Sequence, residues 1–164
     1  MRAGAGFVLK EPKFENGKPL YALDRLNYQP HAKVWFVEGE QKADALAKLG
    51  LLATTAGGAN TDDHADFSPL AGRTVTIWPD NDKPGIEHGE RVATKLAALG
   101  CTVAIVDVSL LGLEEKGDCV NWLTVHPDAT REAIDALSVM PSITRVNAPG
   151  NETATAEGGN FTRS

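Results

Sequence analysis

Val34-Trp35-Phe36-Val37-Glu38-Gly39-Glu40-Gln41-Lys42-Ala43-Asp44-Ala45-Leu46-Ala47-Lys48-Leu49-Gly50 decides the fold class. Its first four residues form an unbroken apolar run, as a strand buried on both faces requires. Past Glu38-Gly39 the period changes. Ala43, Leu46, Ala47 and Leu49 make one helical stripe, and Gly50 closes it. A buried strand feeding directly into a helix is the repeating unit of a mostly parallel α/β sheet.

The same alternation continues outward. Leu51 to Thr55 reads as a second strand leading into Gly57-Gly58-Ala59-Asn60, and Thr74 to Trp78 as a third. Pro84 marks a helix start, and Ile86, Gly89, Val92, Ala93, Leu96 and Leu99 form the apolar face of that helix. Thr102 to Val108 is a fourth strand, with short helices expected near 120–123 and 128–137. The expected fold is therefore α/β, a central four-stranded, mostly parallel sheet with helices on both faces. Upstream, Phe7-Val8-Leu9 and Pro19 to Leu23 flank Asn16-Gly17, a hairpin signal. The expected organisation is a hairpin extension over 1–30, the α/β domain over 31–140, and a disordered tail over 147–164, where polar and small residues cannot offset ordering entropy.

The chain has 164 residues, 42% of them hydrophobic, which is enough for one core. No apolar run approaches the roughly 20 residues of a membrane span, so no membrane partner is expected. Cys101 and Cys119 form no Cys-x-x-Cys pair, which argues against a disulfide scaffold or a zinc site and for a reducing, cytoplasmic setting. Net charge is −6, with +2 over 1–30, −7 over 31–146 and −1 over 147–164. That distribution excludes a broad basic nucleic-acid surface and raises the question of what the central acids do.

Ligand sites of open α/β sheets lie outside the carboxyl ends of the strands. Three strand ends here run into acid: Glu38 after the first, Asp80 and Asp82 after the third, and Asp118 beyond the fourth. Parallel neighbours would gather all four on one edge, where carboxylates repel unless a cation joins them. All-oxygen ligation suits Mg²⁺, which takes one or two carboxylates together with substrate phosphate. Lys42, Lys83 and Lys116 each adjoin an acidic motif and are candidate phosphate or nucleotide contacts. The Gly57-Gly58 backbone is a further candidate. Gly39 and Gly85 are expected to permit tight turns beside the acids. Trp35 and Trp78 are expected in the core, Trp122 as an anchor of the Asp118 loop, and His31, His64, His88 and His126 on the surface or in turns.

The ordered set Phe36-Val37-Glu38-Gly39-Glu40, Trp78-Pro79-Asp80-Asn81-Asp82 and Lys116-Gly117-Asp118 followed by Asn121-Trp122-Leu123 resembles a Toprim domain. The likeness is greatest to the Toprim modules of primases and primase–helicases carried by phages, plasmids and integrated elements. It spans about residues 7–137. The resemblance implies a Rossmann-like Toprim fold, with Glu38 as the general base or acid and Asp80, Asp82 and Asp118 as ligands of Mg²⁺ (or Mn²⁺). It implies nucleotidyl transfer making RNA primers from nucleoside triphosphates on a single-stranded DNA template, with helicase and template-binding domains as partners. Many primases carry a further acid four residues past the glutamate, where this chain has Lys42. The alternatives are a Toprim nuclease of the overcoming-lysogenization-defect type and a non-catalytic metal-binding module of the recombination-mediator kind.

Overall fold

Residues 15–58 and 60–141 are described by the computed structural model. Helix α1 (Leu23–Tyr28) precedes strand β1 (Val34–Phe36), α2 (Glu40–Ala47) and β2 (Ala53–Thr54). Strand β3 (Thr74–Ile77), α3 (Lys83–Ala98), β4 (Thr102–Ile105), α4 (Cys119–Val125) and α5 (Arg131–Asp135) complete the order. The four strands form one sheet in the order β2-β1-β3-β4, with every pair parallel. The expected α/β architecture is the observed one.

Alternation of side chains along the strands sorts the core into two layers. Val34 and Phe36 of β1, Val75 and Ile77 of β3, and Val103 and Ile105 of β4 face one side, where Leu26 of α1 and Val92, Ala93 and Leu96 of α3 cover them. Trp35, Val37, Ala53 and Trp78 face the other, under Ala43 and Leu46 of α2, Cys119 and Trp122 of α4, and Ile134 of α5. Trp35 and Trp78 are core residues, as expected. Trp122 packs edge-on to Trp78 with ring centroids 5.7 Å apart and so anchors the helix that follows Asp118.

Two expectations need correction. Asn16-Gly17 turns the chain, but the segment after it is not the second arm of a hairpin. Lys18 pairs in parallel with Ala65, and Leu23–Tyr28 is helical. Leu23 and Leu26, one helical turn apart, share a face of α1 that packs on the sheet beside Leu20, in place of the expected strand. The first arm, Phe7 to Leu9, and the tail 147–164 lie outside the described residues. The second correction concerns His88. It lies inside α3 and is buried, although the polar residues around it suggest a surface position.

Arg73 fixes the approach to β1. Its buried guanidinium donates to the carbonyls of Leu26 (3.0 Å), Gln29 and Ala32 (3.0 Å) at the end of α1 and the following turn, where the Gln29 carbonyl also accepts from the Ala32 N–H. Arg73→Met keeps the apolar stem and strands those carbonyls. The variant is expected to lose about 2–3 kcal/mol of unfolding free energy in urea, and an unchanged midpoint would mean that water replaces the guanidinium at no cost.

Candidate functional site at the carboxyl edge of the sheet

β1 and β3 are neighbours in register, Phe36 opposite Ile77, so the chain leaves both strands side by side at the same edge. Glu38 emerges from one and Asp80 from the other. Their carboxyl groups share a hydrogen bond. Burial first, then that bond and the negative charge of Asp80, push the Glu38 carboxyl up from 4.5 to about 7. Glu38 does not cap α2. The cap position is Gly39, and no side chain bonds the first turn. Gly39 has φ +103°, open to glycine at little cost, and its N–H donates to the Thr55 hydroxyl at 2.9 Å. The carboxyl of Glu38 is thereby left free for the edge.

Lys42 lies one helical turn further on, and its ammonium points back into the acids. It donates to Asp80 Oδ1 at 2.6 Å and lies 3.5 Å from Asp118 Oδ2. Burial pulls this ammonium down, but the hydrogen bond and charge of Asp80, with Asp118 and Glu38 behind it, outweigh burial and leave the net shift upward. Asp44, two residues on, is turned away and accepts from the Tyr21 hydroxyl at 2.9 Å.

Asp82 and Asp118 carry structural duties as well. Asp82 caps α3, accepting from the Gly85 N–H at 2.7 Å. Asp118 caps α4 in a reciprocal box: its Oδ1 accepts from the Asn121 N–H at 3.0 Å, and the Asn121 side chain accepts from the Asp118 N–H. What brings Asp118 to Asp80 is Asn81. Its N–H donates to the Gly117 carbonyl (2.7 Å), its carbonyl accepts from the Lys116 N–H (2.8 Å), and its amide donates to the carbonyls of Leu113 and Glu114. Four bonds from one residue stitch the loop after β4 to the turn after β3. An Asn between two Asp residues looks in sequence like a filler in an acidic turn; only the fold reveals its role.

Gly85 permits a close approach rather than a special backbone angle. A Cβ there would stand 2.7 Å from the Asp80 carbonyl oxygen and 2.8 Å from Asp82 Oδ1. Gly85→Ala is expected to cost about 2 kcal/mol by overpacking and to shift the Asp80 backbone. The measurement is a guanidinium melt, and a cost below a few tenths of that would mean that the turn yields freely.

The remaining candidates are only partly brought in. Lys83 is exposed and lies 3.8 Å from Glu87, its neighbour one turn along α3. Lys116 is exposed and takes a left-handed backbone, φ +69°, to make its bond to Asn81. The Gly57 N–H is engaged by the Thr55 hydroxyl at 3.0 Å, while Gly58 is exposed. Thr55 therefore ties the Glu38-Gly39 turn to the glycine loop, a role that a threonine at a strand end does not advertise. Beyond that loop, Asp62 is buried near His88 (3.6 Å) and Lys95 (3.6 Å), which holds the segment against α3. Cys119, next to Asp118, is pushed up to about 12 by burial and then by that aspartate, so its thiol stays protonated and packs as a small apolar group.

Among the described residues, no group of three or more His, Cys, Asp or Glu side chains is placed to cage a metal ion. The set fits a smaller demand. Asp80 Oδ1 and Asp118 Oδ2 already face one shared positive charge, both donors are oxygens, and Mg²⁺ keeps several waters and needs only one or two carboxylates beside substrate phosphate. An open groove of about 960 Å³ runs from Lys42 and Asp118 past Gln41 and Asn121 to Arg25 and Lys48.

No protein-family model and no curated protein matches the chain. Among solved structures, the chain is similar to the zinc-binding and RNA polymerase domains of the Aquifex aeolicus primase, with a TM-score of 0.55 and 17% sequence identity. The match covers 82% of this chain and 36% of that one, so the chain spans about a third of the primase fragment. At that identity the likeness is one of fold. No described helix is long and apolar enough to cross a membrane.

Proposed function

We propose that this chain is the Toprim catalytic domain of a DNA primase or primase–helicase of a mobile element, joining ribonucleotides on a single-stranded DNA template in the cytoplasm. The observation that carries the reading is the meeting of Glu38, Asp80 and Asp118 at one edge of a primase-like sheet, with a carboxyl poised at about 7 beside a paired aspartate. Structural carboxylates have no need of such a value, whereas a proton acceptor at neutral pH does.

In the reaction, the 3′-oxygen of one nucleotide forms a bond to the α-phosphorus of the next, and the bond from that phosphorus to pyrophosphate breaks. Glu38, close to half ionised at neutral pH, takes the hydroxyl proton. Asp80 and Asp118 would hold Mg²⁺, or Mn²⁺ in its place, and Asp82 stands behind them as the cap of α3. The ion, when bound, offsets charge on the phosphates and polarises the attacking oxygen. Lys42 is within the same cluster and can follow phosphate charge on its flexible stem. Lys83, Lys116 and the Gly58 backbone stand at the rim as phosphate contacts. With a net charge of −6, the domain is expected to grip DNA weakly. Helicase and template-binding domains are the partners that would supply the hold.

The test is synthesis of labelled RNA oligonucleotides from ribonucleoside triphosphates and Mg²⁺ on single-stranded DNA, with a template-binding partner supplied. Template-dependent products support the reading. Nicking of plasmid by the same protein without nucleotides would replace it with a nuclease, and Mg²⁺ binding without turnover would replace it with a docking module.

A further inference from the structure

Lys42 is the third residue of α2, in a first turn where the helix dipole disfavours a cation. Its ammonium nonetheless folds back into the fold's acidic edge, and the side chain is only 16% exposed. The point it occupies is common to Asp80 Oδ1 at 2.6 Å and Asp118 Oδ2 at 3.5 Å. Asp118 Oδ1 and Asp82 Oδ1 are meanwhile committed to the caps of α4 and α3. Of the oxygens that the caps leave over, Asp80 Oδ1 and Asp118 Oδ2, the two that converge from separate strand ends, already face the lysine.

We infer that the Lys42 ammonium is a resident counter-cation standing where a divalent ion would bind, so that the free protein resists free metal and admits it together with a triphosphate. This rests on the reading of Asp80 and Asp118 as metal-holding residues and adds an order of binding to it. A hydrated dication arriving alone must displace a hydrogen-bonded ammonium or set a second positive charge beside it. A triphosphate changes the balance, because its oxygens offer the ammonium a new partner within reach of a four-carbon stem. Metal and nucleotide are then coupled through one side chain, and each raises the affinity for the other by the same factor.

The probe is Mn²⁺ alone, followed by the loss of its free-ion electron paramagnetic resonance signal, on the full chain without nucleotide. Lys42→Met is expected to bind Mn²⁺ about tenfold more tightly than wild type, and adding Asp80→Asn to that variant should remove the gain. Equal affinity of wild type and Lys42→Met overturns the inference while leaving primer synthesis to judge the functional reading. Tight binding that survives Asp80→Asn places the ion elsewhere and overturns the assignment of the metal-holding residues. Should Lys42→Met fail to fold, the wild-type ammonium can be watched directly by ¹⁵N lysine NMR. The Lys42 signal should hold through millimolar Mg²⁺ and move when Mg²⁺ is added with a triphosphate; a shift with Mg²⁺ alone overturns the inference.

Discussion

Asp80→Asn is expected to lower template-directed primer synthesis by about a thousandfold and to leave the fold standing. Asp80 is the residue on which the edge converges. Its Oδ1 receives the Lys42 ammonium at 2.6 Å, and its hydrogen bond and charge help to raise the Glu38 carboxyl. Asparagine keeps the size and one acceptor but gives up the charge. On the proposed function, that change would remove an oxygen anion from the metal; it also weakens the pairing with Lys42. It also removes the negative charge that helps to hold the Glu38 proton, so the Glu38 carboxyl should titrate lower and the acidic limb of the pH–rate profile should move to lower pH. Stability should change little, by about 1 kcal/mol or less, because a partly exposed ion pair is lost while repulsion between carboxylates is relieved. Synthesis by Asp80→Asn within tenfold of wild type would remove Asp80 from the reaction.

Glu38→Gln is expected to inactivate the protein and stabilise it at the same time. The folded state raises the Glu38 carboxyl from 4.5 to about 7, by burial first and by Asp80 second. Folded protein therefore holds the proton more tightly than unfolded chain. Below pH 4.5 both states are protonated and Glu38 contributes no penalty. From there to about pH 7 the unfolded chain ionises first, so stability falls as pH rises, and above that the full penalty persists. The interval corresponds to about 3.4 kcal/mol, of which a half-buried carboxyl retains about 1–2 kcal/mol. Glutamine does not titrate. The variant should therefore match wild type at pH 4 and exceed it by about 1–2 kcal/mol at pH 8, as read by urea unfolding across pH. Primer synthesis should drop by about a hundredfold or more at every pH, because amide cannot accept the proton. Parallel stability curves for the two proteins would mean that the glutamate is not perturbed, and retained synthesis would mean that it is not the base.

A residue whose removal is expected to strengthen the fold while ending the proposed chemistry is what a site at the open edge of a sheet should contain. The two core layers, by contrast, are built mainly from apolar residues, from Phe36 and Ile77 on one face to Trp35 and Trp78 on the other.

Period and punctuation in the sequence determined the elements. An apolar run of four ending in Glu38, a helical stripe ending at Gly50, a proline at the start of α3 and acids after three strands are all local facts. They place β1, α2, β3, α3, β4 and α4 to within a few residues because backbone preference and side-chain alternation act over short stretches of chain. They also located the acidic edge, since in parallel sheets strand ends of the same sense lie together. Short-range pattern erred where two periods overlapped, as at Leu23 and Leu26, and where burial came from distant partners, as for His88.

Only the tertiary structure decided which acids meet and what stands among them. The order β2-β1-β3-β4 puts β1 beside β3, and so Glu38 beside Asp80. Asn81 draws the loop after β4 inward and sets Asp118 near the same point. Lys42 could have pointed to solvent on its helix; the charge of two carboxylates from other elements turns it inward. These outcomes depend on pairings between residues tens of positions apart. Packing and electrostatics settle those pairings together, and no local stretch of sequence encodes them alone.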